Sequence, residues 1–223
     1  MSDWTPDFLQ TTRASYDTIA KEYTAAFPSG LSHPLDHALV TAFAELAASN
    51  GTAPVADLGS GPGHVTALLH ARGARAFGVD LSPAMVDLAR ATHPQLRFHV
   101  GSMTSLDLPD GTLGGILALY STIHVPDDHL PRAFAEFRRT LVPGGHALLA
   151  FQAAQEGAPD RLHLAERFGH GIALDYYWRT PEQVTAALTG AGLEPVATTV
   201  REPAGEERRA RAFVLARRPL EAG

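Results

Sequence analysis

Three alternating glycines and two aspartates form the part of this sequence best suited to bind a ligand. Gly59, Gly61 and Gly63 follow an apolar run that contains Asp57, and a second apolar run ends at Asp80. Glycine permits positive φ and places no Cβ between the backbone and a ligand, while a helix starting after the loop directs free N–H groups to the same place. Because a carboxylate at the next strand end can accept both hydroxyls of a ribose, the spacing predicts a nucleoside site.

The same loop disfavours two common kinds of nucleotide site. The dinucleotide fingerprint requires a third glycine at the position that His64 occupies when the spacing is counted from Gly59. No lysine follows the glycines, as the triphosphate-binding loop requires. A nicotinamide-dependent oxidoreductase therefore remains as an alternative, and triphosphate binding is not expected.

Residues 57–63, DLGSGPG, resemble motif I of the class I S-adenosylmethionine-dependent methyltransferases, written (D/E)-x-G-x-G-x-G. Two further segments are similar to the small-molecule, type 11/25-like branch of that family: YDTIAKEY at residues 16–23 and LVPGG at residues 141–145. The resemblance implies S-adenosylmethionine as cofactor and S-adenosylhomocysteine as product. It also implies a seven-stranded sheet that ends in an antiparallel hairpin.

The resemblance carries over to particular cofactor-binding residues. Asp80 would hold the ribose hydroxyls, Ser102 would meet the adenine in place of the more common aspartate, and Tyr23 would bond the methionine carboxylate. The full predicted set is Tyr23, Asp57, Gly59, Ser60, Gly61, Gly63, Asp80, Leu81, Ser102, Met103 and Tyr120.

His124, just after the fourth predicted strand, is the candidate catalytic base, because an imidazole can remove a proton at neutral pH. The alternative is that it forms a wall of the pocket. Candidate substrate-binding residues lie on the first helix and in the segment after the fifth strand; they are Tyr16, His163, His170, Tyr176, Tyr177 and Trp178. The aromatic members either form a wall for an apolar acceptor or pack that segment onto the core. No metal site is expected.

Composition limits the class of partner. The chain of 223 residues has 18 Lys and Arg against 24 Asp and Glu, a net charge of −6, so a nucleic-acid substrate is not expected. It contains no cysteine. The first residues lack the charged and apolar regions of a signal peptide, and no run reaches the roughly 18 apolar residues of a membrane span. We expect a cytoplasmic protein, away from membranes, whose partner is a small-molecule methyl acceptor.

Hydrophobic runs that alternate with helical patterns predict an α/β fold: a doubly wound, Rossmann-like and mainly parallel sheet with N-terminal helices. Helices are predicted from Asp7 to Ala26 and from Pro34 to about Ala48, and Ser82 and Thr180 are predicted to cap two later helices. Residues 162–168 are interpreted as a short helix, and LVPGG as a turn before the fifth strand. We expect one methyltransferase domain over residues 1–223, divided into an N-terminal helical cap at 1–50, a cofactor-binding core at 53–151, a substrate-side insertion at 152–180, and a final helix and hairpin at 181–217.

The functional hypothesis is methyl transfer from S-adenosylmethionine to an oxygen or nitrogen of a small metabolite, with a natural-product or aromatic scaffold as the acceptor. Two alternatives stay open on the sequence: a nucleotide-dependent oxidoreductase, and a protein that binds S-adenosylmethionine without catalysis. Preferential binding of NADH over S-adenosylmethionine would favour the oxidoreductase. Binding of S-adenosylmethionine without any methyl transfer would favour the non-catalytic protein.

Overall fold

The computed structural model describes residues 7–220, which form six α-helices and nine β-strands. The helices are α1 (Asp7–Ala26), α2 (Pro34–Ala48), α3 (His64–Ala71), α4 (Pro83–Thr92), α5 (Leu130–Thr140) and α6 (Pro181–Gly190). The strands are β1 (Val55–Leu58), β2 (Ala76–Asp80), β3 (Arg97–Val100), β4 (Leu113–Leu119), β5 (Leu141–Gln152), β6 (Arg161–Arg167), β7 (His170–Tyr177), β8 (Glu194–Arg201) and β9 (Arg211–Arg217). Within 7–220, no helix has both the length and the apolar character needed to cross a bilayer.

Seven strands form one sheet in the order β3-β2-β1-β4-β5-β9-β8. The first five pair in parallel, whereas β9 runs antiparallel to both β5 and β8. This confirms the predicted doubly wound sheet with a C-terminal antiparallel hairpin. The carboxyl ends of β1, β2 and β4 consequently meet at one edge, next to the glycine loop.

Helices cover both faces of the sheet, which explains why its central strands are continuously apolar. Leu117 of β4 packs toward Phe43 of α2 on one face. The next residue toward the N-terminus, Ile116, packs toward Phe137 of α5 on the other face. Alternate side chains of one strand therefore enter two separate cores.

Two helix starts have the caps that the sequence predicts. The Ser82 hydroxyl accepts from the Met85 N–H at the start of α4. Thr180 and Gln183 form a reciprocal capping box at the start of α6. These bonds satisfy backbone donors that have no partner inside the helix.

Two sequence predictions about local structure are wrong. Residues 162–168 are not helical, because β6 and β7 form an antiparallel hairpin. Its two-residue turn has positive φ at both Phe168 (56°) and Gly169 (81°), the combination that matches the twist of paired strands. Similarly, LVPGG lies inside β5 as an irregularity in its pairing with β4, instead of forming a turn before the strand.

Helix α1 is fixed over the glycine-loop edge of the sheet by two side chains that leave one of its turns in different directions. The Ser15 hydroxyl donates to the Ala173 carbonyl and accepts from the Ala173 N–H of β7. The Asp17 carboxylate accepts from the Ser82 hydroxyl at 2.6 Å and from the Ala84 N–H at 3.1 Å. Helix α1 is thus bonded to both sides of the site that it covers.

Candidate active site

A cavity of about 770 Å³, including its open mouth, lies where α1 covers the carboxyl ends of β1, β2 and β4. Of the residues predicted from the sequence, those that line it are Tyr16, Tyr23, Gly59, Gly61, Asp80, Leu81, Ser102, Met103, Tyr120 and His124. The structure therefore brings together residues that are far apart in the sequence.

The glycine loop forms the floor of this cavity with φ of 77°, 52° and 85° at its three glycines. A Cβ on Gly59 would lie 2.3 Å from the Cβ of Ser121, so only glycine fits there. An added Cβ on Gly61 meets nothing within 4 Å, because Gly61 borders open space. The Gly61 N–H donates to Asp80 at 2.7 Å. The loop backbone is therefore accessible from the cavity at the point nearest the Asp80 carboxylate.

Asp80 is held at the end of β2 by two backbone donors. One oxygen accepts from Gly61 and the other accepts from the Ser82 N–H at 2.9 Å. Burial raises the pKa of Asp80, while the bonds from Ser82 and Gly61 lower it. Each carboxylate oxygen has a further lone pair, so Asp80 has acceptor capacity left for hydroxyl groups in the cavity.

Asp57 lies beneath the loop and outside the cavity lining. It is 2% exposed and accepts a 2.6 Å hydrogen bond from the Thr66 hydroxyl. Burial and, to a smaller extent, the charge of Asp80 together raise the pKa of Asp57 to about 7, against the lowering effect of the Thr66 hydrogen bond.

Two other predicted cofactor residues lie outside the cavity lining. Gly63 is the N-cap of α3, and an added Cβ there would lie 2.6 Å from the Phe98 ring, so close packing explains this glycine. Ser60 lines a neighbouring cleft instead.

His124 and Tyr16 form a buried polar pair at the wall of the cavity. The Tyr16 hydroxyl lies 2.8 Å from His124 Nε2, and His124 Nδ1 lies 2.7 Å from the Asp175 carbonyl. Because a carbonyl only accepts, Nδ1 carries the proton, and Nε2 then accepts from Tyr16. Burial lowers the pKa of His124 to about 4, and burial raises the pKa of Tyr16. Both groups are therefore neutral at pH 7.

This depressed pKa makes stability depend on pH in a predictable direction. Between pH 6.5 and about 4 the unfolded chain binds a proton at His124 that the folded chain does not bind. The contribution of the neutral His124 to the free energy of unfolding is fully present above pH 6.5 and is lost as the pH falls to about 4. The total loss is about 3 kcal/mol. Urea unfolding from pH 7 to pH 4 is expected to show a steeper loss for the wild type than for His124→Gln. Parallel pH profiles for the two proteins would contradict the buried neutral imidazole.

The predicted substrate-side residues separate into two groups. Tyr176 lines the cleft beside the cavity, with its ring 4.7 Å from the His124 ring, and Trp178 lines a further cleft. Tyr177 instead packs against Arg161 and Arg179.

The two histidines of the β6–β7 hairpin are also absent from the linings of these clefts. His163 lies 3.0 Å from Asp175, and His170 lies 3.5 Å from Glu22, all with partly exposed side chains. In the described part of the chain, no three His, Cys, Asp or Glu side chains are grouped so as to hold a metal ion.

Sequence reasoning missed several lining residues. The cavity wall also contains Phe8, Leu9, Thr12, Met85, Ser121 and Val125. Ser121 follows the end of β4, so the strand-end rule could have found it. The first three lie on one face of α1, whose orientation over the sheet is a tertiary property.

The comparisons with known proteins agree with this architecture. A family profile described as "Methyltransferase domain" matches residues 55–145. N-demethylindolmycin N-methyltransferase of Streptomyces griseus is 32% identical over 174 residues, covering 66% of this chain and 72% of that protein. A 2-phytyl-1,4-naphtoquinone methyltransferase of Thermosynechococcus vestitus is 30% identical over 163 residues, covering 63% of this chain and 72% of that protein.

Solved structures share the fold at lower sequence identity. Magnesium protoporphyrin IX methyltransferase of Synechocystis with bound S-adenosylmethionine has a TM-score of 0.69 at 15% identity, covering 97% of this chain and 100% of that chain. A methyltransferase of Methanosarcina mazei has a TM-score of 0.67 at 19% identity, covering 75% of this chain and 93% of that chain.

Fold and site together define a Rossmann-like enzyme of the cofactor-binding α/β class. The chain belongs to the class I S-adenosylmethionine-dependent methyltransferases, in the type 11/25 branch. It methylates small molecules, with S-adenosylmethionine as its cofactor. This membership decides against the oxidoreductase and the non-catalytic binding protein.

Proposed function

We propose that this enzyme transfers the methyl group to an oxygen or nitrogen atom of an aromatic, natural-product-like scaffold. The observation that carries the proposal is an aromatic cleft continuous with the cofactor cavity. This loop-side cleft is bounded by Ser60, Tyr120, Gln152, Arg167 and Tyr176, and further residues line both it and the cavity. The shared residues are Tyr16, Tyr23, Gly59, Gly61, Leu119 and Tyr120.

Two relatives support this acceptor class through their names. One is named as an N-methyltransferase of N-demethylindolmycin, and the other is named for a naphthoquinone. Planar acceptors of this kind suit a cleft with Tyr120 and Tyr176 in its walls, because aromatic faces contribute large contact areas.

For the cofactor, we propose that Asp80 accepts the ribose hydroxyls while the backbone of Gly59 and Gly61 approaches the methionine part. Leu81, Ser102 and Met103 flank the adenine in this assignment, and Tyr23 bonds the methionine carboxylate. Asp57 acts from below by holding α3 to β1 through Thr66. When bound, S-adenosylmethionine supplies an electrophilic methyl on a sulfonium. The residues of this chain align the acceptor and exclude water.

His124 and Tyr16 are proposed to take up the acceptor proton together. The acceptor proton passes to the Tyr16 oxygen while the Tyr16 proton passes to His124 Nε2, along the existing 2.8 Å contact. A weak base is sufficient here, because the proton on the attacking oxygen or nitrogen becomes more acidic as that atom forms its bond to the methyl carbon. His124 therefore serves as the terminal base of the pair, and its Asp175 bond fixes the tautomer.

Transfer of a carbon-13-labelled methyl to a metabolite extract tests this function. The expected product carries the labelled methyl on oxygen or nitrogen, which its carbon-13 chemical shift identifies. In His124→Ala and Tyr16→Phe, turnover is expected to fall more than cofactor affinity. Labelling of carbon atoms only would contradict the proposed acceptor atom, and unchanged turnover in both variants would remove the proton-transfer role.

A further inference from the structure

Four arginines line a cleft next to the proposed acceptor site. Arg167, Arg208, Arg209 and Arg211 surround this arginine cleft, and no Asp or Glu belongs to its lining among residues 7–220. The remaining lining residues are Gln152, Gln155, Leu162, Leu164, Tyr176 and Trp178. Positive charge is therefore concentrated here in a chain with a net charge of −6.

Three of these four guanidinium groups, those of Arg167, Arg208 and Arg209, lack a carboxylate partner among residues 7–220. Arg211 is paired with Glu207 at 3.2 Å. Arg167 and Arg209, both partly buried, form no ion pair within 4.0 Å with any residue of the described range 7–220. Their charges are therefore available to an anion that enters the cleft.

Aromatic rings hold both guanidinium groups in place. Arg167 lies 5.5 Å from the ring centre of Tyr23 and donates to the Tyr176 hydroxyl at 2.7 Å. Arg209 stacks on Trp178 at 3.6 Å. Stacking orients a planar guanidinium and leaves its edge free to bind a carboxylate through two parallel hydrogen bonds.

An unpartnered hydrogen-bond donor also lies at this cleft. A terminal nitrogen of Arg209 is buried without a hydrogen-bond partner in the described structure. Leaving a buried guanidinium N–H without an acceptor is unfavourable, so such an atom indicates a missing partner. A carboxylate is the acceptor that guanidinium groups bind best.

The arginine cleft continues into the loop-side cleft. Gln152, Arg167, Tyr176 and Arg211 line both. An elongated molecule can therefore have one end at the cofactor cavity near Tyr120 and its other end among the arginines.

We propose that the methyl acceptor carries a carboxylate, remote from the methylated atom, that binds in the arginine cleft with Arg167 as first partner and Arg209 as second. Its apolar body then lies along Tyr176 and Tyr120. This assignment rests on the proposed function, because that function places the acceptor in the loop-side cleft.

Binding measurements test the proposal without requiring turnover. The probes are 2-naphthoate and 3-phenylpropanoate, each compared with its primary amide, titrated into protein saturated with S-adenosylhomocysteine. The carboxylates are expected to bind about 10-fold more tightly than the amides, because only they form charge-assisted hydrogen bonds. In Arg167→Gln this ratio is expected to fall to about threefold or less, and Arg167→Lys is expected to retain part of it.

Arg161→Gln is the matched control, since Arg161 lies on the same hairpin but outside the cleft and pairs with Asp175. It is expected to keep the full carboxylate preference. Equal binding of carboxylates and amides, or no binding of either, overturns the proposal. The proposal is also overturned if Arg167→Gln binds S-adenosylhomocysteine more weakly but keeps the wild-type ratio of carboxylate to amide affinity. That result would assign Arg167 to the methionine carboxylate of the cofactor. Methyl transfer to carbon with the carboxylate preference intact would refute the proposed acceptor atom alone.

Discussion

Replacing Arg201 with alanine is expected to lower the free energy of unfolding by about 3–5 kcal/mol. Arg201 is 6% exposed and donates to both oxygens of Asp36, itself 4% exposed, at 2.7 and 2.8 Å. It also donates to Glu207 at 2.9 Å. Hydrogen bonding to Arg201 holds the pKa of Glu207 down to about 2. Removing the guanidinium would leave two carboxylates buried or partly buried without their main partner.

Arg217→Ala is the matched control on the neighbouring strand. Arg217 pairs with Glu194 at 2.7 Å, but the two side chains are 42% and 49% exposed. A solvated pair of this kind contributes about 0–1 kcal/mol. Urea unfolding of both variants at pH 7 measures the difference, and losses of equal size would show that burial does not determine the effect.

Arg201 also connects stability to the site. It joins α2 to the β8–β9 hairpin, and its partner Glu207 also contacts Arg211. The Arg211 guanidinium lies 5.6 Å from the ring centre of Tyr120, a residue of the cofactor cavity. We therefore expect part of the Arg201 effect to reach the loop-side cleft.

Asp80→Ala is expected to weaken S-adenosylhomocysteine binding by at least about 100-fold. The change removes the acceptor of two backbone N–H groups, from Gly61 and Ser82, and the proposed acceptor of the ribose hydroxyls. Each hydrogen bond to a charged group contributes about 1.5–3 kcal/mol, so losing two of them accounts for this factor. Titration calorimetry measures it directly.

Asp87→Ala provides the control for charge removal on the same side of the sheet. Asp87 lies on α4, has a 77% exposed side chain, and contributes nothing to the cavity lining. It is expected to bind S-adenosylhomocysteine as the wild type does. If Asp80→Ala stays folded, as its thermal unfolding shows, and binds within threefold of the wild type, then the ribose assignment is wrong.

Local signals in the sequence were sufficient for most of the fold. The predicted limits of α1 and α2 match the structure, and Ser82 and Thr180 cap the helices as expected. Each of these features depends on residues within one or two turns of each other. The β6–β7 hairpin was missed because its turn depends on Phe168 adopting positive φ, which a non-glycine residue rarely does.

The candidate site likewise has features that follow from local sequence and features that depend on contacts between distant residues. The glycine loop and Asp80 follow from spacing alone, because a strand, a tight turn and a helix place them together; their binding roles remain predictions. His124 was found by its position after β4, yet its tautomer depends on hydrogen bonds with Tyr16, 108 positions away, and with the Asp175 carbonyl. The division of the chain into cap, core and insertion also remains a prediction.

The sequence by itself therefore determined the sheet, most helix boundaries and the loop that borders the cofactor cavity, since these follow from hydrophobic periodicity, caps and glycine conformations within short segments. Only the tertiary structure decided which side chains meet across segments. Arg201 and Asp36 are 165 positions apart, and Arg167 reaches Tyr23 and Tyr176 through the β6–β7 hairpin. Such contacts depend on the packing of whole elements. The same packing buries His124, which lowers its pKa to about 4, and groups four arginines in a cleft whose lining contains no Asp or Glu among residues 7–220.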